Sequence, residues 1–379
     1  MGSILPLVTG FMWLYLLARF VWPLPVSAGL RLLLAVVLLL AAEYHWITAR
    51  YFGTLASPEL PQWILIVLAW AFGVVLLLFL LVLLRDVAGV FVFMAARGPG
   101  LAILSGQALH LAIGILAVVL AAVGVWQAVR VPAVKTVNVT LSGLPSAFEG
   151  YRIVQLTDLH ASRLLPKSWQ AAVVARADAL KPDLIVLTGD LADGTPAQRA
   201  ADVSPLRDLH ATDGVLAIPG NHEYYSDYRD WMIAYRALGL RMLENQHVII
   251  EHGGTSLAVA GLTDRQAASF GLPRPDLQAA LDGIPAGTPT ILLEHRPGDA
   301  PTNARAGIML QLSGHTHGGQ IRGPDLLVKR DNNGFLSGLY SVGNMVLYVS
   351  NGTGLWNGLA IRLGRPSEIT QIVLHAGPR

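Results

Sequence analysis

The stretch that decides the fold reads Leu312-Ser313-Gly314-His315-Thr316-His317-Gly318-Gly319-Gln320. The apolar run Gly307–Leu312 leads into it and predicts a buried strand. His315 and His317 follow that strand on a glycine-rich loop, two residues apart. Neutral imidazole is the commonest metal ligand in proteins, and two metal ions about 3.5–4 Å apart are suited to holding a phosphate ester. We therefore expect other segments to supply carboxylate ligands at the same place.

Composition separates the chain into two parts. It has 379 residues, of which 53% are hydrophobic and only 14% charged, and the apolar excess lies almost entirely before residue 130. The net charge of +2 and the absence of long Lys/Arg runs give no support to a nucleic-acid partner. The chain has no cysteine, which excludes disulfides, thiolate metal sites and Cys nucleophiles.

The N-terminal part predicts a helical membrane domain over residues 1–130. Four segments are apolar enough and long enough to cross a bilayer, which takes roughly 20 residues. The first lacks a basic residue ahead of its apolar run and is expected to be a retained helix rather than a signal peptide. The apolar segment Val87–Ala96 is too short to span alone and is expected to lie in the interface or to extend a neighbouring helix. The four predicted spans are Ile4–Trp22, Leu30–Trp46, Trp63–Leu84 and Leu101–Trp126.

Ionisable residues within a membrane region are functional candidates. Glu43 and His45 fall at the end of the second predicted span, where a solvated helix end is the simpler interpretation. His110, in the fourth, is expected to bond a neighbouring helix rather than to carry protons. A functional role for any of the three is left open.

Basic residues in the short loops predict the orientation. Arg19, Arg31, Arg85 and Arg97 fall on one side of the predicted spans, whereas Arg50, Arg130 and Lys135 fall on the other. The positive-inside rule places the larger group in the cytoplasm, so the C-terminal domain is expected on the outer side of a bacterial inner membrane.

Residues 131–379 predict an α/β domain. Short Val/Ile/Leu-rich runs alternate with helix-like stretches, which is typical of right-handed βαβ units and a largely parallel sheet. Val248–Glu251 and Thr255–Ala260 flank His252-Gly253-Gly254 and predict a hairpin, which makes the sheet mixed. The other predicted strands are Val134–Leu141, Arg152–Leu156, Leu184–Leu187, Val215–Ile218 and Thr290–Leu293.

Side chains that can bind a metal ion follow five predicted strands. The last of these strands is Gly307–Leu312, which precedes His315 and His317. At the carboxyl ends of parallel strands such residues meet at one edge of the sheet, which is where sites assemble in open α/β folds. Each fragment alone is weak evidence, but five in succession are not a coincidence. The fragments are Asp158-Leu159-His160, Gly189-Asp190, Gly220-Asn221-His222-Glu223, Glu294-His295 and Gly314-His315-Thr316-His317.

This set of motifs resembles the signature of the calcineurin-like metallophosphoesterases, and the resemblance extends from about Val134 to the C-terminus. Together with the preceding spans it is similar to the membrane-associated bacterial branch. Thr157 stands where many members have serine, a change that should not disturb ligation. The resemblance implies an αββα sandwich with mixed sheets.

The resemblance also implies the roles of individual residues. Asp158, His160 and His317 would hold one divalent metal ion. Asn221, His295 and His315 would hold a second, and Asp190 would bridge both. Oxygen and imidazole ligands suit Mn²⁺, Fe or Zn²⁺, and the choice among them is open. His222 would be the general acid that protonates the leaving oxygen.

Nearby residues have two interpretations each. Asp193 would orient a ligand or only form a turn, and Glu223 would orient His222 or only begin a helix. Arg163 and Arg296 would clamp a phosphate or remain solvated. The other histidines of the domain fall in helix or hairpin contexts, where no site is expected: His210, His247 and His252.

The predicted function is that of a membrane-anchored two-metal phosphohydrolase acting on a phosphodiester, a pyrophosphate or a related bond. The alternatives are a phosphomonoesterase or protein phosphatase and, from another class, a non-catalytic membrane scaffold that keeps the fold. Because four spans exceed what a tether needs, the substrate is expected to be lipid-borne. Some relatives that the sequence resembles cleave UDP-2,3-diacylglucosamine, which is the leading candidate although that substrate is cytosolic. The oligomeric state is left open.

Overall fold

A computed structural model describes residues 4–54 and 57–378. The chain forms two compact units. Residues up to 128, together with Asn357–Leu363, form the first, and Val129–Trp356 with the residues from Gly364 onward form the second. The sequence places one boundary at residue 130 and does not indicate that the late segment Asn357–Leu363 belongs to the helical unit.

The first unit consists of apolar helices. Within the described residues, three of them are long and apolar enough to cross a membrane, rather than the four that the sequence predicts. The first predicted span is a shorter helical segment, in which the α-helix Leu5–Leu16 is followed by the π-helical turn Leu17–Val21. The helices are α1 (Leu5–Leu16), α2 (Ala28–Phe52), α3 (Gln62–Ala95), α4 (Arg97–Ser105) and α5 (Gln107–Val129).

Helix α3 is longer than predicted. It has 34 residues and includes Val87–Ala96 up to Ala95, so that segment extends a neighbouring helix. The charged residues Arg85 and Asp86 do not end the helix, because their charges are paired. Arg85 Nη2 lies 2.6 Å from Asp86 Oδ1, and Arg19 Nε lies 2.7 Å from Asp86 Oδ2. The predicted span Leu101–Trp126 is divided at Gly106, where α4 ends and the chain becomes extended before α5.

The polar residues of the helical unit are held by other helices. His110 Nε2 lies 2.8 Å from the carbonyl oxygen of Phe20, and its Nδ1 lies 2.9 Å from Arg85 Nη1, as the bonding role predicts. The solvated helix end predicted for His45 is wrong, because α2 continues to Phe52 and His45 is buried with its ring 4.6 Å from that of Phe72. Glu43 accepts a hydrogen bond from Thr9 Oγ1 at 2.8 Å.

The second unit alternates strands and helices, as expected. Its helices are α6 (Lys167–Asp178), α7 (Pro196–Val203), α8 (Asn221–Tyr225), α9 (Tyr228–Ala237), α10 (Leu277–Leu281), α11 (Ala300–Arg305) and α12 (Asp325–Asp331). Its strands are β1 (Ala133–Ser142), β2 (Arg152–Leu156), β3 (Leu184–Thr188), β4 (Val215–Ile218), β5 (Arg241–Met242), β6 (Gln246–His252), β7 (Thr255–Gly261), β8 (Thr290–Leu293), β9 (Leu310–Ser313), β10 (Gly338–Val342), β11 (Met345–Val349) and β12 (Glu368–Gly377).

These strands form two six-stranded mixed sheets. The first has the order β1-β12-β2-β3-β4-β5, and the second has the order β10-β11-β9-β8-β7-β6. Neighbours from β2 to β5 are parallel, as are those from β7 to β9 and β11, whereas the β6–β7 hairpin and the β12–β2 pair are antiparallel. The predicted mixed α/β architecture is therefore confirmed.

One apolar core joins the inner faces of both sheets. Ile153 and Val186 of the first sheet belong to the same buried cluster as Val259 and Leu312 of the second. On the second sheet, alternate residues face the other way, and Leu292 packs with Ala280 of α10 and Ala300 of α11. Successive side chains of a strand point to opposite faces, so both faces of the inner part of this sheet are covered. The carboxyl ends of β2, β3, β4, β8 and β9 are thereby held beside one another.

Candidate metal centre

The strand-end loops bring the predicted ligand residues together. In each of two groups, the three side chains offer ligand atoms that lie within 4.8 Å of one another. A third group of this kind shares His160 with the first group and includes His222. The groups are Asp158 with His160 and His317, Asp190 with His295 and His315, and His160 with Asp193 and His222.

Asp190 lies between the first two groups. Its Oδ2 is 3.3 Å from His295 Nε2 and 3.7 Å from His160 Nε2, while its Oδ1 accepts a hydrogen bond from the backbone N–H of His222 at 2.8 Å. One oxygen is thus fixed by the backbone, and the other faces imidazoles of both groups.

Three buried atoms of the predicted ligand residues form no hydrogen bond. Two of them, Nε2 of His160 and Nε2 of His295, face this carboxylate, and the third is Oδ1 of Asn221 at the start of α8. A buried polar atom that forms no hydrogen bond costs free energy, roughly 1–3 kcal/mol. Such acceptors beside a carboxylate fit a cation, and this donor set is suited to a divalent metal ion.

The histidine tautomers agree with that fit. His160 Nδ1–H donates to Asp193 Oδ1 at 3.1 Å, and His295 Nδ1–H donates to the carbonyl oxygen of Thr188 at 2.8 Å. Each bond leaves the lone pair of Nε2 directed into the site, which is how a second partner orients a metal-binding imidazole. His315 differs, because Arg296 Nη1 lies 2.8 Å from its Nε2 and can only donate, so this hydrogen bond would have to be released before Nε2 could bind a metal ion.

The electrostatics of the site favour positive charge. Burial alone would lower the pKa of His295, but Asp190 and Asp158 outweigh it and raise that pKa to about 10. The same carboxylates that stabilise the imidazolium would stabilise a metal ion in place of its proton, because metal binding to histidine releases a proton.

Backbone strain is concentrated at these residues. Five predicted ligands have positive φ, a region that costs a non-glycine residue free energy and that occurs mainly at functional sites. Their φ values are 54° for Asp158, 44° for His160, 55° for Asp190, 68° for His315 and 49° for His317.

Two glycines let the loops approach the carboxylates. A Cβ on Gly220 would lie 2.2 Å from Asp190 Oδ1, and one on Gly314 would lie 2.4 Å from Asp158 Oδ2. Gly314 also brings the backbone N–H of His315 to 3.1 Å from both oxygens of Asp158. Thr157 Oγ1 donates to Asp158 Oδ2 at 2.9 Å, so the threonine supports this carboxylate.

Asp193 is the residue whose role the sequence leaves most open. Its Oδ1 accepts from Nδ1 of His222 at 2.6 Å as well as from His160. Burial alone would raise the pKa of Asp193, but His160 and His222 lower it to about 2. It is therefore a charged positioning residue rather than only a turn former. The signal in the sequence is its place three residues after Asp190, which does not reveal which imidazoles it contacts.

Glu223 lies in the first turn of α8, as the second of its two interpretations predicts, and it also has contacts that neither interpretation describes. Its carboxylate accepts hydrogen bonds from the backbone N–H groups of Asp190, Leu191 and Gly220 at 3.1, 2.7 and 2.8 Å. It joins the loops after β3 and β4 and does not bond His222.

His222 lies at the open side of the centre. Its side chain is 15% exposed, and its Nε2 is 4.0 Å from Asp190 Oδ2. Burial alone would lower the pKa of His222, but Asp190 and Asp193 outweigh it and raise that pKa to about 9. Because Nδ1–H is bonded to Asp193, Nε2 is the nitrogen that can give a proton to a ligand in the site.

The two candidate arginines differ. Arg296 Nε donates to Asp264 at 2.8 Å, which holds its guanidinium beside His315, whereas Arg163 is exposed. The remaining histidines have other contacts: His247 Nδ1 lies 3.0 Å from the carbonyl oxygen of Ala280, and His252 Nε2 lies 2.8 Å from Asp213. His210 is exposed.

Comparison with known proteins agrees with this geometry. Residues 151–319 match the family model described as calcineurin-like phosphoesterase. A zebrafish (Danio rerio) protein named transmembrane protein with metallophosphoesterase domain is 31% identical over 382 residues, a match that covers 89% of this chain and 87% of the zebrafish protein. The chain belongs to the calcineurin-like phosphoesterases.

Membership of the calcineurin-like phosphoesterases confirms the predicted class, a metal-dependent phosphoesterase. The bovine (Bos taurus) protein of the same name is 37% identical over 275 residues, but this match covers 69% of this chain and only 61% of the bovine one. An uncharacterized metallophosphoesterase of Campylobacter jejuni is 33% identical over 262 residues, covering 69% of this chain and 68% of the relative. Bacterial and animal relatives thus share this domain, and the zebrafish and bovine proteins are named as transmembrane proteins.

Proposed function

We propose that this phosphoesterase is a membrane-anchored hydrolase that uses two divalent metal ions to cleave a phosphodiester, a pyrophosphate or a related bond. In this proposal residues 1–130 anchor the chain and residues 131–379 carry the catalytic domain. One ion is held by Asp158, His160 and His317, the other by Asn221, His295 and His315, and Asp190 serves both.

The observation that carries the proposal is a set of buried acceptors that form no hydrogen bond. They are His160 Nε2 and His295 Nε2, which both face Asp190, and Asn221 Oδ1, and together they belong to both of the proposed ligand sets. A scaffold that had lost its chemistry would gain stability by replacing such atoms with apolar ones, because unpaired buried polar atoms are costly.

The chain's own residues supply the remaining chemistry. Bound metal ions would polarise the phosphate and lower the pKa of a water molecule. Asp193 holds the His222 ring through Nδ1, and Nε2 then delivers a proton to the leaving oxygen. The guanidinium of Arg296, held by Asp264, offers further N–H donors to phosphate oxygens.

The test is a metal-by-metal reconstitution of the full chain in detergent. Purified protein is loaded with Mn²⁺, Fe²⁺ or Zn²⁺ and assayed on an aryl phosphodiester and on the corresponding monoester. We expect two bound ions per chain and hydrolysis of the diester. Preference for the monoester would favour a phosphomonoesterase or protein phosphatase, and bound metal without hydrolysis of either compound would favour the scaffold.

We further propose a lipid-borne substrate such as UDP-2,3-diacylglucosamine. The apolar helices keep the catalytic domain at a bilayer, which supports a phosphoester carried by a membrane lipid. The charge distribution supports an inner-membrane location with the domain outside, which conflicts with a cytosolic nucleotide lipid.

The lipid preference is tested with one headgroup on two carriers, one acylated and one deacylated. Both compounds are assayed in mixed micelles with the full chain. A kcat/KM that does not differ between the two forms would contradict the lipid preference.

A further inference from the structure

Aromatic side chains line the open side of the proposed metal centre. The ring of Tyr225 lies 5.3 Å from the His222 ring, and that of Trp356 lies 6.1 Å from it. Phe270 continues the same surface, with its ring 6.3 Å from that of Tyr225. These three residues, which we call the aromatic wall, are neither proposed metal ligands nor the proposed acid.

Two of the three residues of the aromatic wall are exposed. Tyr225 is 53% exposed and Phe270 is 49% exposed. Among the large apolar side chains that are exposed in the described part of the second unit, these two are the aromatic ones, and they adjoin each other. Apolar rings left in water beside a catalytic centre indicate a surface that another apolar group covers.

The local fold fixes the wall to the centre. Helix α8 is a single turn that contains Asn221, His222 and Tyr225. Residues three and four apart lie on the same face of a helix, so Tyr225 is positioned beside both of the other two. Tyr225 Oη also lies 3.4 Å from Oε1 of Gln266, within the 3₁₀ segment Arg265–Phe270 that carries Phe270.

A cavity of about 390 Å³ adjoins the wall. Its lining includes Tyr225, Phe270 and Leu272, with Arg229 and Asp230 among its polar members. Ligand pockets start at roughly 300 Å³. His222 and Trp356 do not line this cavity, which adjoins the wall at Tyr225 and Phe270.

The position of the acid determines which part of a substrate reaches the wall. His222 Nε2 faces Asp190 Oδ2 at 4.0 Å, and the His222 side chain is 15% exposed. A proton from Nε2 goes to the oxygen of the departing group. That group must therefore leave past His222, where Tyr225 and Trp356 lie.

We propose that Tyr225, Phe270 and Trp356 form a leaving-group subsite that binds a planar aromatic or heteroaromatic ring attached to the phosphate. The proposal rests on the proposed function, because it takes the leaving group to lie on the His222 side. Aromatic rings attract other rings beyond what their apolar area alone provides. A planar ring is therefore bound more tightly than an alkyl group of equal size.

The test measures binding, independently of turnover. Isothermal titration of the Mn²⁺-loaded full chain in detergent compares phenylphosphonate with n-hexylphosphonate, which has the same number of carbon atoms, and with methylphosphonate. We expect phenylphosphonate to bind about 3- to 10-fold more tightly than n-hexylphosphonate, as a ring–ring contact would give. Phe270→Leu and Tyr225→Leu should remove most of that preference, and Phe270→Tyr should keep it.

Ile233→Ala is the matched control, because Ile233 is another exposed apolar residue of the same unit, on α9, and does not line the cavity. Its ring preference should equal that of the unchanged chain, and methylphosphonate should bind equally to all variants. Equal affinity for phenyl and hexyl compounds, or a preference that survives both leucine substitutions, would overturn the subsite. Ring preference without hydrolysis of any ester would retain the subsite and reject the proposed function, whereas hydrolysis without ring preference would do the reverse.

Discussion

The carboxylate of Asp193 lies 2.6 Å from Nδ1 of His222, and the same oxygen accepts a hydrogen bond from His160. One side chain thus positions the proposed acid and a proposed metal ligand.

Asp193→Ala is expected to weaken metal binding and to lower kcat together, each by about 10- to 100-fold, the usual effect of losing such a partner. Metal titration and steady-state kinetics measure the two effects. Asp213→Ala is the matched control, since Asp213 also bonds an imidazole, that of His252, outside the centre. Loss of neither property in Asp193→Ala would contradict the positioning role.

Asp190→Ala removes the carboxylate that faces imidazoles of both groups. We expect the variant to bind neither metal tightly and to have no measurable hydrolysis. Elemental analysis after gel filtration gives the metal content per chain. Two retained ions would contradict the bridging role, and one retained ion would assign Asp190 to a single site.

His222→Ala should keep both metal ions and lose roughly 10²–10⁴ in kcat, the share of a positioned general acid. Esters with more acidic leaving groups need less protonation and should lose less. A series of aryl phosphodiesters of graded leaving-group acidity measures this dependence. An equal loss across the series would rule out proton donation. His252→Ala, another histidine bonded to an aspartate, should leave the series unchanged.

Gly220→Ala tests the close approach at Asp190. The added Cβ would lie 2.2 Å from Asp190 Oδ1, so the carboxylate must move, and we expect metal affinity and kcat to fall at least 10-fold. Gly298→Ala is the control, because an added Cβ there meets no atom within 4 Å. Unchanged metal affinity in Gly220→Ala would show that the carboxylate position is not critical.

Reporter fusions test the predicted orientation. Arg19 and Arg85 both lie beside Asp86, which agrees with their assignment to the same side of the membrane. Alkaline phosphatase fused after Arg130 should be active outside the cell, and the same reporter fused near Arg97 should be inactive. The opposite pattern would place the catalytic domain in the cytosol.

The sequence predicts the inner strands of the second unit because their apolar runs end at chemically distinctive residues. It does not indicate β12, which pairs with β1 and β2 across long chain separations. Local patterning carries no information about such partners. The sequence does not indicate the β10–β11 hairpin either, because its first strand alternates between half-buried and exposed residues and has no continuous apolar run.

The helical unit shows the limit of hydropathy in another way. Hydropathy along α3 alone ends the span before Arg85, because a charge in a bilayer is costly. Asp86, the next residue, is the counter-charge of Arg85. The groups that bond this pair from other segments are Arg19, which contacts Asp86, and His110, which contacts Arg85. In the metal centre, likewise, the motifs predict the residues that meet, but only the fold reveals that Asp193 contacts two imidazoles.

The position of β12 has a consequence for biosynthesis. Strand β1 follows directly after α5, yet its partner in the sheet is β12, near the end of the chain. At usual translation rates of about 5–20 residues per second, β1 waits on the order of tens of seconds before β12 has been made. During that interval its unpaired N–H and C=O groups resemble an open sheet edge, which can pair with other chains. A chaperone that covers this strand during synthesis would therefore raise the yield of folded protein more than one that acts after release from the ribosome.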